Sequence, residues 1–86
     1  MIVKFHRDFD KSFKKLPVDV KKKFIQRKEI FVKDPLHRLL NNHPLAGEWQ
    51  GYRSINVTGD YRAVYSQMDK DTVLFVEIGT HPQLYR

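Results

Sequence analysis

The chain has 86 residues, 41% hydrophobic and 30% charged, with a formal net charge of +6 and no cysteine. That length gives one domain with one core, residues 1–86, and eleven aromatic side chains argue against disorder. Disulfides, thiol nucleophiles and thiolate metal sites are excluded, and no apolar run is long enough to span a bilayer, so the expected setting is the cytoplasm.

Met1 to His6 reads as a short strand, with Ile2 and Phe5 in a β-prone run and none of the features of a secretory signal. Phe9, Phe13 and Leu16 follow at spacings of four and three, one face of an amphipathic helix that Pro17 ends. A longer helix runs from Val18 to about Lys33, with Val20, Phe24, Ile25, Phe31 and Val32 expected inward and lysines outward. Asp34-Pro35 stops it, because the residue before a proline avoids the helical basin. The two helices form a hairpin.

Leu36 to Glu48 is an irregular connection, with Asn41-Asn42, Pro44 and Gly47 as turn signals. From Trp49 the apolar period becomes two. Strands over Trp49–Val57, Tyr61–Gln67 and Thr72–Thr80, turning at Thr58-Gly59-Asp60 and Asp69-Lys70-Asp71, make an antiparallel meander. The last strand is apolar on both faces, which predicts a central place beneath the helices. The predicted class is α+β, an N-terminal strand and a helical hairpin packed on a small antiparallel sheet.

Charge is segregated. Residues 1–50 carry twelve Lys/Arg against six Asp/Glu, whereas residues 51–86 carry four against four. A basic half beside a neutral half fits a polyanionic partner, and Lys14, Lys15, Lys21 and Lys22 are the candidate phosphate contacts. The plain alternative is a solvated helix face.

In the neutral half, the two hairpins bring an acid, an arginine and a histidine toward one surface: Asp60, Arg62 and His81. Registering the second hairpin about Lys70 sets Arg62 near Glu77, a candidate cross-strand ion pair; registering the first about Gly59 sets Asn56 near Arg62. His43 and His81 both precede proline, which pushes each backbone toward the extended region and narrows its choices. Imidazole suits proton transfer near neutrality. Tyr85 could stack on a splayed base. The four histidines lack the spacing of a metal site.

Three stretches carry a resemblance: Leu45-Ala-Gly-Glu-Trp49-Gln-Gly-Tyr-Arg53-Ser, Gly59-Asp-Tyr-Arg62-Ala-Val-Tyr65, and Glu77-Ile-Gly-Thr-His81-Pro-Gln-Leu-Tyr85. Together, in this order and spacing, they resemble the YafQ-like branch of the RelE/ParE superfamily of type II toxins, along essentially the whole chain. The resemblance implies a ribosome-dependent endoribonuclease that cuts mRNA in the A site and is silenced by an antitoxin encoded beside it. It implies catalytic roles for His43, Asp60 and His81, a phosphate-binding role for Arg62 and a match for Tyr85 to the aromatic near the chain end; Arg53 and Asn56 are further candidate RNA contacts. Tyr61 stands where the branch has tryptophan, and Asn56 where it has another histidine. No cofactor is implied. A gyrase poison on the same fold and a non-catalytic basic RNA-binding module remain open on the residues alone.

Overall fold

In the computed structural model, which describes residues 1–85, strand β1 (Ile2–Phe5) passes at His6 into helix α1 (Arg7–Lys14). The Nδ1 of His6 accepts from the backbone N–H of Asp8 at 2.9 Å, and Asp8 and Asp10 sit in the first turn, where the helix dipole favours acids. After Pro17, helix α2 spans Val18–Lys33 and stops at Asp34, as the proline at 35 requires. Val20, Phe24 and Phe31 are buried on one stripe of α2. Ile25 and Val32, expected inward, are exposed instead. Each stands one residue beyond a buried phenylalanine, a rotation of about 100° that carries it off the stripe.

The connection makes a 3-10 turn at Arg38–Leu40, whose Leu40 enters the core, and a two-residue strand β2 (His43–Pro44). The strand expected from Trp49 is shorter: β3 covers only Arg53–Asn56. Gly47 (φ +64°) and Gly51 (φ +93°) turn the chain twice, and Trp49 lies in a 3-10 turn between them. Strands β4 (Tyr61–Gln67) and β5 (Thr72–Thr80) agree with the predicted spans, and a short helix α3 (His81–Leu84) closes the chain.

The sheet order is β1-β5-β4-β3-β2. Strands β2 to β5 are antiparallel, but β1 pairs with β5 in parallel, so the sheet is mixed rather than purely antiparallel. The parallel pairing follows from the long crossover through both helices. The central strand is β4; β5 lies one place out, flanked by β1 over Thr72–Phe75. One face of the sheet carries the aromatic core, in which Phe9, Phe24 and Phe75 pack with ring centroids 5.2–5.9 Å apart and Phe31 sits 5.5 Å from Phe75. Ile55, Ala63 and Ile78 point to that face; their neighbours Asn56, Arg62 and Gly79 therefore belong to the opposite one.

The register separates Arg62 from Glu77. Tyr65 faces Phe75, a pairing that would set Arg62 against Ile78 if it continued unbroken. A bulge between Val64 and Tyr65 inserts one residue, so Arg62 faces Gly79 and Glu77 faces Val64. The expected ion pair is not made.

Candidate active site

The C-terminal corner is built by local hydrogen bonds. Thr80 caps α3: its hydroxyl accepts from the Gln83 N–H at 3.4 Å, while the Gln83 side-chain oxygen accepts from the Thr80 N–H at 2.8 Å. Gly79 makes room for this, since a Cβ there would meet that same Gln83 oxygen at 2.9 Å. Leu84 is buried, and its carbonyl accepts the indole N–H of Trp49 at 2.8 Å. His81 and Tyr85, four residues apart, stand one helical turn apart with ring centroids at 4.6 Å. The backbone N–H of His81 also donates to the Asp60 carbonyl at 3.2 Å, which joins the end of β5 to the turn before β4.

His81 thus opens a helix instead of extending the strand, contrary to the expectation from Pro82. A proline is tolerated in the first helical turn, where no intrahelical donor is lost. His43 does lie in extended backbone, on β2 opposite Ser54. Its Nδ1 is 2.7 Å from the carbonyl of Asn41. A carbonyl can only accept, so Nδ1 carries the proton and Nε2 keeps its lone pair when the ring is neutral. Asn41 has a left-handed backbone (φ 44°), which aims that carbonyl back at the ring.

These pieces converge on a cleft of about 330 Å³ lined by Asn41, His43, Leu45, Arg62, His81 and Tyr85. Four of the six were expected from the sequence. Asn41 was legible only as part of a turn signal, and Leu45 carried no signal for a cleft wall. The guanidinium of Arg62 donates through Nη1 to the carbonyls of Thr58, Gly59 and Tyr61 at 2.9, 3.1 and 3.0 Å. This pins one terminal nitrogen to the hairpin turn, and among the described residues Nε and Nη2 make no hydrogen bond. Asn56 faces Arg62 across β3 and β4, as its register predicted, with its side-chain oxygen buried and unpaired. The buried Tyr85 hydroxyl likewise has no partner among the described residues.

Other expected residues lie outside the cleft. Asp60 is exposed beside it, joined to His81 through the backbone. Arg53 donates through Nε to the Asn42 side chain at 2.9 Å and does not line the cleft. Lys14, Lys15 and Lys22 are exposed and Lys21 is half-buried, all on the helical layer across the sheet. A larger groove of about 740 Å³ runs between the end of α1 and α3, lined in part by Lys15, Trp49, Glu77 and Leu84, and has no imidazole. Among the described residues no group of three or more His, Asp or Glu is placed to hold a metal ion, and no helix is long and apolar enough to cross a membrane.

The family profile described as the bacterial toxin of type II toxin–antitoxin systems, YafQ, matches residues 1–86. The mRNA interferase toxin YafQ of Escherichia coli (strain K12) is 39% identical over 51 residues, which are 59% of this chain and 54% of that protein. The chain therefore matches about half the length of this curated relative. Among solved structures, YafQ from E. coli BL21(DE3) superposes with a TM-score of 0.81 at 24% identity, covering 98% of this chain and 97% of that one. The toxin chain of the E. coli DinJ–YafQ complex gives 0.72 at 26% identity, with the same coverage.

Proposed function

We propose, since the chain belongs to the YafQ family of bacterial type II toxins, that it is an endoribonuclease that cuts mRNA on the ribosome and so stops translation. The observation that best supports this reading is the cleft in which His43, Arg62, His81 and Tyr85 converge. The curated relative's name, mRNA interferase toxin, points the same way.

The reaction is attack of a ribose 2′-OH on the adjacent phosphate, giving a 2′,3′-cyclic phosphate and a 5′-hydroxyl. The Nε2 of His43, whose lone pair is left available by the Asn41 contact, takes the 2′-OH proton. Protonated His81 gives a proton to the departing 5′-oxygen. Asp60, whose backbone carbonyl accepts from the His81 N–H, orients the segment that carries the imidazole. The free Nε and Nη2 donors of Arg62 meet the charge that develops on the phosphorane. Tyr85 stacks a base, and Asn56, half-buried opposite Arg62, adds a polar RNA contact beside it. Arg53, tied to Asn42, acts by holding β3 and the His43 segment together. No step in this scheme uses a metal ion held by the chain.

The ribosome holds the message in place, which suits so small a cleft. Lys14, Lys15, Lys21 and Lys22 grip ribosomal RNA from the helical layer, with the salt dependence of phosphate contacts. The setting is the cytoplasm. The partner is an antitoxin encoded beside the chain, in the way that DinJ and YafQ of E. coli form a toxin–antitoxin complex. Primer extension on message bound to purified ribosomes tests the reading. Discrete cuts are expected with the wild-type protein and should be lost in His81→Ala; intact message with the wild-type protein would refute it.

A further inference from the structure

The two imidazoles of the cleft are held differently, and the difference matters once a message has been cut. When the 2′-OH proton has passed to His43 and the His81 proton to the 5′-oxygen, His43 is an imidazolium and His81 is neutral. The Nδ1–H of His43 still donates to the Asn41 carbonyl at 2.7 Å, a contact that strengthens when the ring is charged. The left-handed backbone of Asn41 keeps that acceptor aimed at the ring. His43 is half-buried on β2, so its new charge rests on a fixed partner as well as on water.

His81 has neither constraint. It is exposed at the start of α3, and among the described residues its ring nitrogens make no hydrogen bond. A neutral imidazole on the solvent side of the cleft is placed to take a proton from water. Arg62 keeps Nε and Nη2 for an anion, because the three turn carbonyls occupy only Nη1. A cyclic phosphate can therefore stay bound after the downstream fragment has left. The cleft of about 330 Å³ has room for a water, which takes up about 30 Å³, where the 5′-oxygen stood.

Building on the cleavage reading above, we propose that the same cleft has a second activity: it hydrolyses the 2′,3′-cyclic phosphate that ends the upstream fragment, giving a 3′-phosphate. Water attacks the phosphorus, and the bond from phosphorus to the 2′-oxygen breaks. One hydrogen of the water goes to His81 and the other stays on the new phosphate oxygen. The Nε2 proton of His43 goes to the departing 2′-oxygen. His43 ends neutral and His81 ends protonated, the states from which the next cleavage starts. The position of the acid also sets the product. His43 serves the 2′ side, so only the 3′-phosphate forms, whereas uncatalysed opening breaks either bond and gives a mixture of 2′- and 3′-phosphates.

Ribosomes carrying a message that already ends in a 2′,3′-cyclic phosphate in the A site test this without the first step. Mass spectrometry separates the cyclic end from the opened one by the mass of a water, and chromatography separates the two phosphate isomers. The wild-type chain should open the ring at least about 10²-fold faster than buffer does, to the 3′-phosphate alone, and His43→Ala should lose that acceleration. A cyclic end that persists, a mixture of isomers, or equal rates in the wild type and His43→Ala overturns the second activity. If intact message on ribosomes is still cut in that case, the cleavage reading stands; if it is not cut, both fall.

Discussion

The indole N–H of Trp49 donates to the carbonyl of Leu84 at 2.8 Å, so the last turn of the chain is fastened to a residue 35 positions earlier. His81 and Tyr85 ride on that turn. Trp49→Phe keeps an aromatic against Tyr52 but leaves a carbonyl of buried Leu84 without its donor, at a cost of about 1–3 kcal/mol. Most of that cost should fall on the docking of α3. The expected result is faster amide exchange at Tyr85 and at least a roughly tenfold loss of cleavage, with the exchange of β4 amides unchanged.

The two imidazoles are assigned opposite proton transfers, and each should contribute about 10²–10⁴ in rate. His43→Ala and His81→Ala should each lower single-turnover cleavage on ribosomes by that range, with unchanged ribosome affinity. The double variant should lose little more than the worse single one, since the two groups serve one displacement. Additive losses would instead mark two independent roles.

The turn between β4 and β5 carries a charge effect of its own. The N–H of Asp71 donates to the Asp69 carboxylate at 2.9 Å and, with Thr72 and the field of Lys4, holds that carboxyl below its ordinary value of 3.8. A lowered folded value stabilises the fold above the ordinary value, and the contribution disappears as pH falls through the lower one. Asp69→Asn keeps the acceptor and removes the charge. Urea midpoints at pH 7 should favour the wild type, and the gap should close toward pH 2.

Much of this architecture is readable in the sequence. The bounds of α2 follow from Pro17 and Pro35, the spans of β4 and β5 from their apolar patterns and polar turns, and, among the cleft residues, Arg62 and His81 from the two hairpins, His43 from its proline neighbour and the resemblance, and Tyr85 from its place after the last strand. The failures have definite causes. The Trp49–Tyr52 stretch looks like strand in composition, but the positive φ angles of Gly47 and Gly51 turn it away from the sheet, and a sequence does not print φ. The pairing of Tyr65 with Phe75 already sets Arg62 one residue past Glu77, and the bulge beyond Tyr65, which no residue type announces, moves it one further, to Gly79. Hydrophobicity alone points Ile25 and Val32 inward, and it does not separate a core stripe from an apolar face left exposed.

Asn42 left no functional trace in the sequence beyond a turn signal, yet three segments meet on its side chain. Its amide nitrogen donates to the carbonyl of Pro35 and to the hydroxyl of Tyr65, both at 2.9 Å, and its oxygen accepts from Nε of Arg53 at 2.9 Å. The end of the helical layer, β4 and β3 are thereby held against the residue that precedes His43. Asn42→Ala would leave the hydroxyl of Tyr65, a residue only 2% exposed, without this donor and free the arginine, for a loss of about 1–3 kcal/mol in urea unfolding. Tyr65→Phe removes one arm only and should cost less. Both variants should fold at 25 °C, but only Asn42→Ala should also lower the rate, because it alone releases the loop that sets the Asn41–His43 contact. Equal rates in the two variants would place Asn42 in the scaffold and leave His43 positioned by Asn41 and Ser54 alone.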